Sequence, residues 1–180
     1  MTALALLAAS PLAMAAEAPP ALQPQRDVDI TYKVPVPGGA DTYLLQRLRW
    51  SASRREQRVD LPTSGQWMVL NFAAHRMLLV RDDSRQVVDL PAPRTADQPG
   101  AGAGYTRAGT ATVDNLPCTE WRTIDTSGRE TLACYTNDGV LLRATAGTHV
   151  LMEAVNVKYE PQPADIFAPP AGYATRQTNR

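Results

Sequence analysis

"LPCTEWRTIDTSGRETLACYTNDGVLL", residues 116–142, holds both cysteines of the chain, Cys118 and Cys134, and its reading decides the fold. Two runs of strand-forming residues flank "DTSG", a turn signal whose glycine is free to take positive φ. A three-residue loop at 125–127 pairs Ile124 with Gly128, Trp121 with Thr131 and Cys118 with Cys134. Side chains facing each other across a hairpin come close enough to bridge. A redox pair wants a close motif such as C-x-x-C with a lowered thiol pKa. A metal centre wants three or four ligands, and only His75 and His149 stand in reserve, both far away in sequence. The pair therefore reads as a structural disulfide, with no metal and no cofactor. Closing a loop of this length stabilises the fold by about 3 kcal/mol in the chain-entropy view, and such bonds persist in oxidising compartments. "NDG" at 137–139 then turns the chain into another strand. Asp138 alone brings a carboxylate there, too few oxygens for calcium.

Working outward, the same alternation recurs. In 27–34, Val28, Ile30, Tyr32 and Val34 fall on one face and Asp27, Asp29, Thr31 and Lys33 on the other. Further strands are expected at 43–51 and 56–61. "WMVLNF", "RMLLV" and "QVVDL" are apolar on both faces, so each must be covered on both sides or line an apolar cavity. Residues 91–104, "PAPRTADQPGAGAG", form a flexible loop, since "GAGAG" lacks the lysine and hydroxyl of a phosphate loop. Strands resume over about 105–114, 118–124, 130–136, 139–145 and 150–159, and "PADIF" supplies one helical turn. The expected fold is all-β and mainly antiparallel, a curled sheet or unclosed barrel of about ten or eleven short strands with little helix. No internal repeat is visible.

The 180 residues favour one domain, and a hydrophobic fraction of 44% supplies its core. Eighteen basic residues balance eighteen acidic ones, which argues against nucleic acid as a partner. Residues 1–15 read as a signal peptide: Ala3–Ala9 form a short apolar core, and Ala13-Met14-Ala15 a cleavage site, with an atypical start that lacks a basic residue. Seven to nine apolar residues are too few to span a bilayer. Residues 16–25 read as a proline-rich linker, 26–173 as a single β domain and 174–180 as a disordered tail. Export and the disulfide together place the protein in the periplasm.

The string "CTEW…GRETLACYTNDGVLLRA…VLMEAVNVKYEPQPADIFAPPAGY" resembles the closing half of a family of small uncharacterised exported bacterial proteins. That family is similar in turn to the LolA/LolB-like lipoprotein carriers, and the match covers mainly residues 105–173. The resemblance implies an unclosed barrel with an apolar concave face and a lipid or lipoprotein as partner. Carriers of this kind bear helices on the concave side, whereas no helix of that length is expected here. No catalytic or ligand residue carries over.

Two residue groups are candidates for binding. Trp67, Val69, Phe72, Met77, Leu79, Leu141, Leu151 and Met152 could line an apolar ligand groove, the alternative being core packing. Arg47, Arg49, Arg54, Arg55 and Arg58 could face a headgroup or another anion, with peripheral membrane contact, the alternative being a solvated edge hairpin. No G-x-S-x-G elbow accompanies His75 or His149, and Asp82-Asp83 reads as a hairpin turn. The expected role is non-enzymatic: binding an apolar or lipidic ligand, or a lipoprotein-like partner, in the cell envelope. The alternatives are an assembly component acting through protein contacts and, third, a hydrolase.

Overall fold

Among the described residues twelve strands form one sheet in the order β12-β6-β5-β4-β3-β2-β1-β11-β10-β9-β8-β7, with β12 and β7 at its two ends. The computed structural model describes residues 18–36, 38, 42–62, 65–92, 104–124 and 128–177, so the expected signal peptide and most of the 91–104 loop lie outside the described residues. The strands are β1 (Val28–Pro35), β2 (Tyr43–Ser51), β3 (Glu56–Leu61), β4 (Gln66–Asn71), β5 (Arg76–Arg81), β6 (Gln86–Pro91), β7 (Thr106–Val113), β8 (Leu116–Ile124), β9 (Glu130–Tyr135), β10 (Leu141–Ala146), β11 (His149–Lys158) and β12 (Ala174–Gln177). The described residues include no α-helix, and "PADIF" closes into a 3-10 turn at Ala164–Phe167. The sheet is antiparallel except for the β12–β6 pair. An all-β, unclosed, curled sheet is thus the architecture of the chain.

The β2–β6 wing is a meander with a structural period of ten residues. Arg55, Gly65, His75 and Arg85 each take positive φ at the last position of a turn, ten residues apart. Matching backbone bonds extend the β3–β4, β4–β5 and β5–β6 ladders by one rung: Phe72 N–H donates to the Arg55 carbonyl, Asp82 to Gly65 and Ala92 to His75. The period lives in backbone geometry, and only Gly65 advertises it by residue type. All strand pairs of this wing run without a register shift.

The other wing curls. Register shifts fall at Thr31/Tyr32, Arg107/Gly109, Leu141/Arg143 and Ala144/Thr145. Each shift adds a residue to one strand, which bends it and increases its twist. As a result β1, β2, β7, β8, β9, β10 and β11 share one core around Val28, Ile30, Trp50, Cys134 and Leu142.

The two wings bury opposite faces of the sheet. Alternation through the paired strands puts Ile30, Leu48, Gln57, Leu70 and Met77 on the concave face, and Trp67, Val69, Val80 and Val87 on the convex one. The convex set packs under Phe167 of the C-terminal segment. The two-faced strands expected from "WMVLNF", "RMLLV" and "QVVDL" are therefore capped on the convex side by a strap running from Tyr159 to β12. Residues 174–177, expected in a disordered tail, instead form β12.

The disulfide Cys118–Cys134 is present, with Cα atoms 5.5 Å apart. Its expected register is corrected by two residues: Ile124 pairs with Glu130, Trp121 with Ala133, and Cys134 with Glu120. The last pair of the ladder is Ile124–Glu130, not Ile124–Gly128, which leaves the cysteines diagonal. The right-handed twist of the pair brings one diagonal within bridging distance.

Candidate apolar groove

A cavity of about 320 Å³ opens where the flat wing meets the curled one. Its floor is β1 and β2, through Ile30, Tyr32 and Leu48. Leu70 and Phe72 form one wall, and Tyr135, Leu141 and Met152 the other. The Tyr32 hydroxyl donates to the Leu141 carbonyl at 2.7 Å, tying floor to wall. Beyond the cavity the concave face continues over Leu61, Met68, Met77, Leu79, Val88 and Leu90, all half-buried.

The mouth is closed on one side by residues 21–26, part of the proline-rich stretch. Leu22, Gln23 and Pro24 line the cavity. The Trp50 indole N–H donates to the Pro24 carbonyl at 2.8 Å, and Trp50 meets Phe72 edge to face at 5.6 Å. Gln25 N–H donates to the Asp138 carbonyl at 2.8 Å. Gly139, with φ +91, leaves room for this crossing, because a Cβ there would stand 2.4 Å from the Gln23 carbonyl oxygen.

Asp138 is the anchor of the crossing. Its carboxylate accepts from the Thr136 hydroxyl at 2.6 Å, the Tyr159 hydroxyl at 3.0 Å and the Arg26 guanidinium at 2.9 Å. Burial opposes the charge, but these three donors outweigh it and hold the carboxyl below its usual range. Arg26 also lies over the Tyr159 ring at 3.9 Å. The "NDG" turn thus does more than reverse the chain: it pins both terminal segments of the domain.

The sequence-based groove set divides. Phe72, Leu141 and Met152 line the cavity, and Met77 and Leu79 lie on the same concave face further out. Trp67 and Val69 project from the convex face into the Phe167 core, and Leu151 is exposed. Ile30, Tyr32, Leu48, Gln57, Leu70 and Tyr135 were not anticipated as lining. The signal was strand parity: each shares a face with an anticipated residue once the meander's register is known.

The five arginines are engaged within the chain: Arg47, Arg49 and Arg58 sit on interior strands, and Arg54 and Arg55 in the turn that joins β2 to β3. Arg47 pairs with Asp29, while Arg49 and Arg58 share Asp60. Arg58 also donates to the Ile166 carbonyl at 2.8 Å and lies 3.7 Å over the Trp67 ring. Arg54 pairs with Glu56 and donates to the Gln162 carbonyl at 2.9 Å. Arg55 donates to the Gln23 side chain at 3.3 Å. Arg54 and Arg58 thereby hold the C-terminal strap down. His75 is an exposed turn residue and His149 an exposed strand start. Among the described residues no cluster of His, Cys, Asp and Glu is placed to hold a metal ion.

Fold and cavity together define the class: an unclosed, curled, mainly antiparallel sheet with an apolar concave side. Comparison with protein-family models and with curated proteins found no match. Solved structures do match. An uncharacterized conserved protein from Thermus thermophilus is 14% identical, with a TM-score of 0.64, over 86% of this chain and 91% of that one. MucB of Pseudomonas aeruginosa, solved with MucA, is 12% identical with a TM-score of 0.56, over 82% of this chain and 56% of that one. PNGF-II is 12% identical with a TM-score of 0.55, over 86% of this chain and 31% of that one. At these identities the likeness is one of fold.

Proposed function

We propose that this chain is a non-enzymatic protein of the periplasm that takes an apolar, lipidic ligand into the groove between its two wings. The observation that carries the reading is the groove itself. The sheet's convex side is capped by the chain's own strap, while the concave side keeps an apolar cavity of about 320 Å³. That volume is at the low end for ligand sites, and an apolar lining with few polar groups is their usual character. The disulfide agrees with an oxidising compartment.

Binding of the neutral, environment-sensitive dye N-phenyl-1-naphthylamine tests this. The oxidised protein should enhance its fluorescence saturably. Leu70→Arg, on the groove wall, should abolish the effect, and Val155→Arg, at an exposed site outside the lining, should not. No enhancement, or equal loss in both variants, would remove the groove as a ligand site.

A second reading is an envelope assembly protein working through protein contacts. It draws on exposed apolar residues away from the groove, among them Tyr43, Leu45 and Leu151, and on a MucB of similar fold having been solved with MucA. A stable change in size on mixing with an envelope extract, retained in Leu70→Arg, would favour it.

A further inference from the structure

Four polar side chains interrupt the apolar lining: Gln23 accepts from Arg55 and Tyr32 donates to Leu141, which leaves Gln57 and Tyr135. Gln57 stands on the concave face of β3 between Trp50 and Leu70, its nearest cross-strand neighbours. Tyr135 ends β9 on the opposite wall. Among the described residues the Gln57 amide and the Tyr135 hydroxyl make no hydrogen bond, unlike Tyr32 beside them, whose hydroxyl donates to Leu141. Neither group is sealed from solvent, so each keeps a hydrogen-bonding capacity that water or a ligand in the cavity satisfies. Both groups open onto the cavity they line.

Their chemistry is specific. The amide donates and accepts, and the phenol donates. Burial, with nearby Tyr105 adding to it, pushes the Tyr135 hydroxyl well above its ordinary pKa, so it stays a neutral donor. No lysine, arginine, histidine or carboxylate lines the cavity among the described residues. A bare carboxylate entering it would be desolvated without a counter-charge, which is strongly unfavourable. An uncharged carbonyl would instead accept from Tyr135 or Gln57 while its chain covers Leu48, Leu70 and Phe72.

Building on the groove reading, we infer that Gln57 and Tyr135 select an acyl chain joined through an uncharged ester or amide over a free fatty acid. The two groups are specificity determinants, and the aliphatic lining supplies the bulk of the contact. A hydrogen bond made in such a groove contributes roughly three- to ten-fold to affinity.

Displacement of N-phenyl-1-naphthylamine by 1-monolauroylglycerol and by laurate at pH 8, below their micellar concentrations, reads this out. The ester is expected to bind at least roughly ten-fold tighter than the acid. Gln57→Leu and Tyr135→Phe should each weaken ester binding roughly three- to ten-fold, and the double variant should weaken it further, each affinity being referred to that variant's own dye affinity. Far-ultraviolet circular dichroism and the melting temperature show that each variant is folded. Equal binding of ester and acid, tighter binding of the acid, or an ester affinity that survives the double variant overturns the inference and leaves the groove standing. Failure of the dye to bind the unsubstituted protein overturns the groove reading itself.

Discussion

Gly139→Ala separates the cost of a turn from the cost of moving the N-terminal crossing. At φ +91 any side chain is strained, by about 1–2 kcal/mol for a left-handed L-residue. The added Cβ would also stand 2.4 Å from the Gln23 carbonyl oxygen, 2.9 Å from the carbonyl carbon and 3.2 Å from the Ala21 Cβ. Two of these are backbone atoms, so residues 21–24 must shift, at an overpacking cost of about 1–3 kcal/mol. The total is about 2–5 kcal/mol. Gly128→Ala is the matched control: its φ is +82, with nothing within 4 Å of the added Cβ, so only the first part applies. In a domain of this size 1 kcal/mol moves Tm by about 2–4 °C. Gly139→Ala is therefore expected to melt several degrees below Gly128→Ala. Moving Pro24 also breaks its hydrogen bond with Trp50, so tryptophan emission should shift to the red in Gly139→Ala alone. Equal melting of the two variants, with identical emission, would refute the packing assigned to residues 21–26.

Three further outcomes are expected. Replacing Cys118 and Cys134 together by alanine should cost about 3 kcal/mol by denaturant titration, and an undiminished midpoint would count against a structural role. Asp138 has a depressed folded-state pKa, so its contribution is fully present above the ordinary value of 3.8 and fades as pH falls below it through the folded value. Asp138→Asn should accordingly lose less stability than the unsubstituted protein between about pH 5 and pH 3, and parallel loss would contradict the hub. Arg58→Ala removes the Asp60 pair, the bond to Ile166 and the contact with Trp67, with an expected cost of about 1–3 kcal/mol. Hydrogen exchange at 174–177 should accelerate with it, and unchanged protection there would detach the strap from Arg58.

The strands were legible because their signals are local. Val28, Ile30 and Tyr32 alternate with polar residues, and Gly65 and Gly139 supply the positive φ their turns need. The register of the disulfide hairpin was not, since "DTSG" marks a turn without fixing its length, and two extra loop residues move every pair. The ten-residue meander escaped notice because Arg55, His75 and Arg85 occupy positions where glycine would have announced the period. β12 is exposed at all four residues and has no alternation, so only its pairing with β6 makes it a strand. The arginine cluster illustrates the limit for sites. Charge density was visible, but the Asp29, Asp60, Gln162 and Ile166 partners converge only after folding. Half of the groove lining depends likewise on how the curled wing folds back over β1.

The most direct test of the central claim is native mass spectrometry of the protein released gently from the cell envelope. Binding in the groove predicts a mass increment of one acyl-bearing lipid, removed by organic extraction and missing from Leu70→Arg. A protein that carries no such mass and takes none up from phospholipid vesicles, or a Leu70→Arg variant that keeps it, would contradict the account.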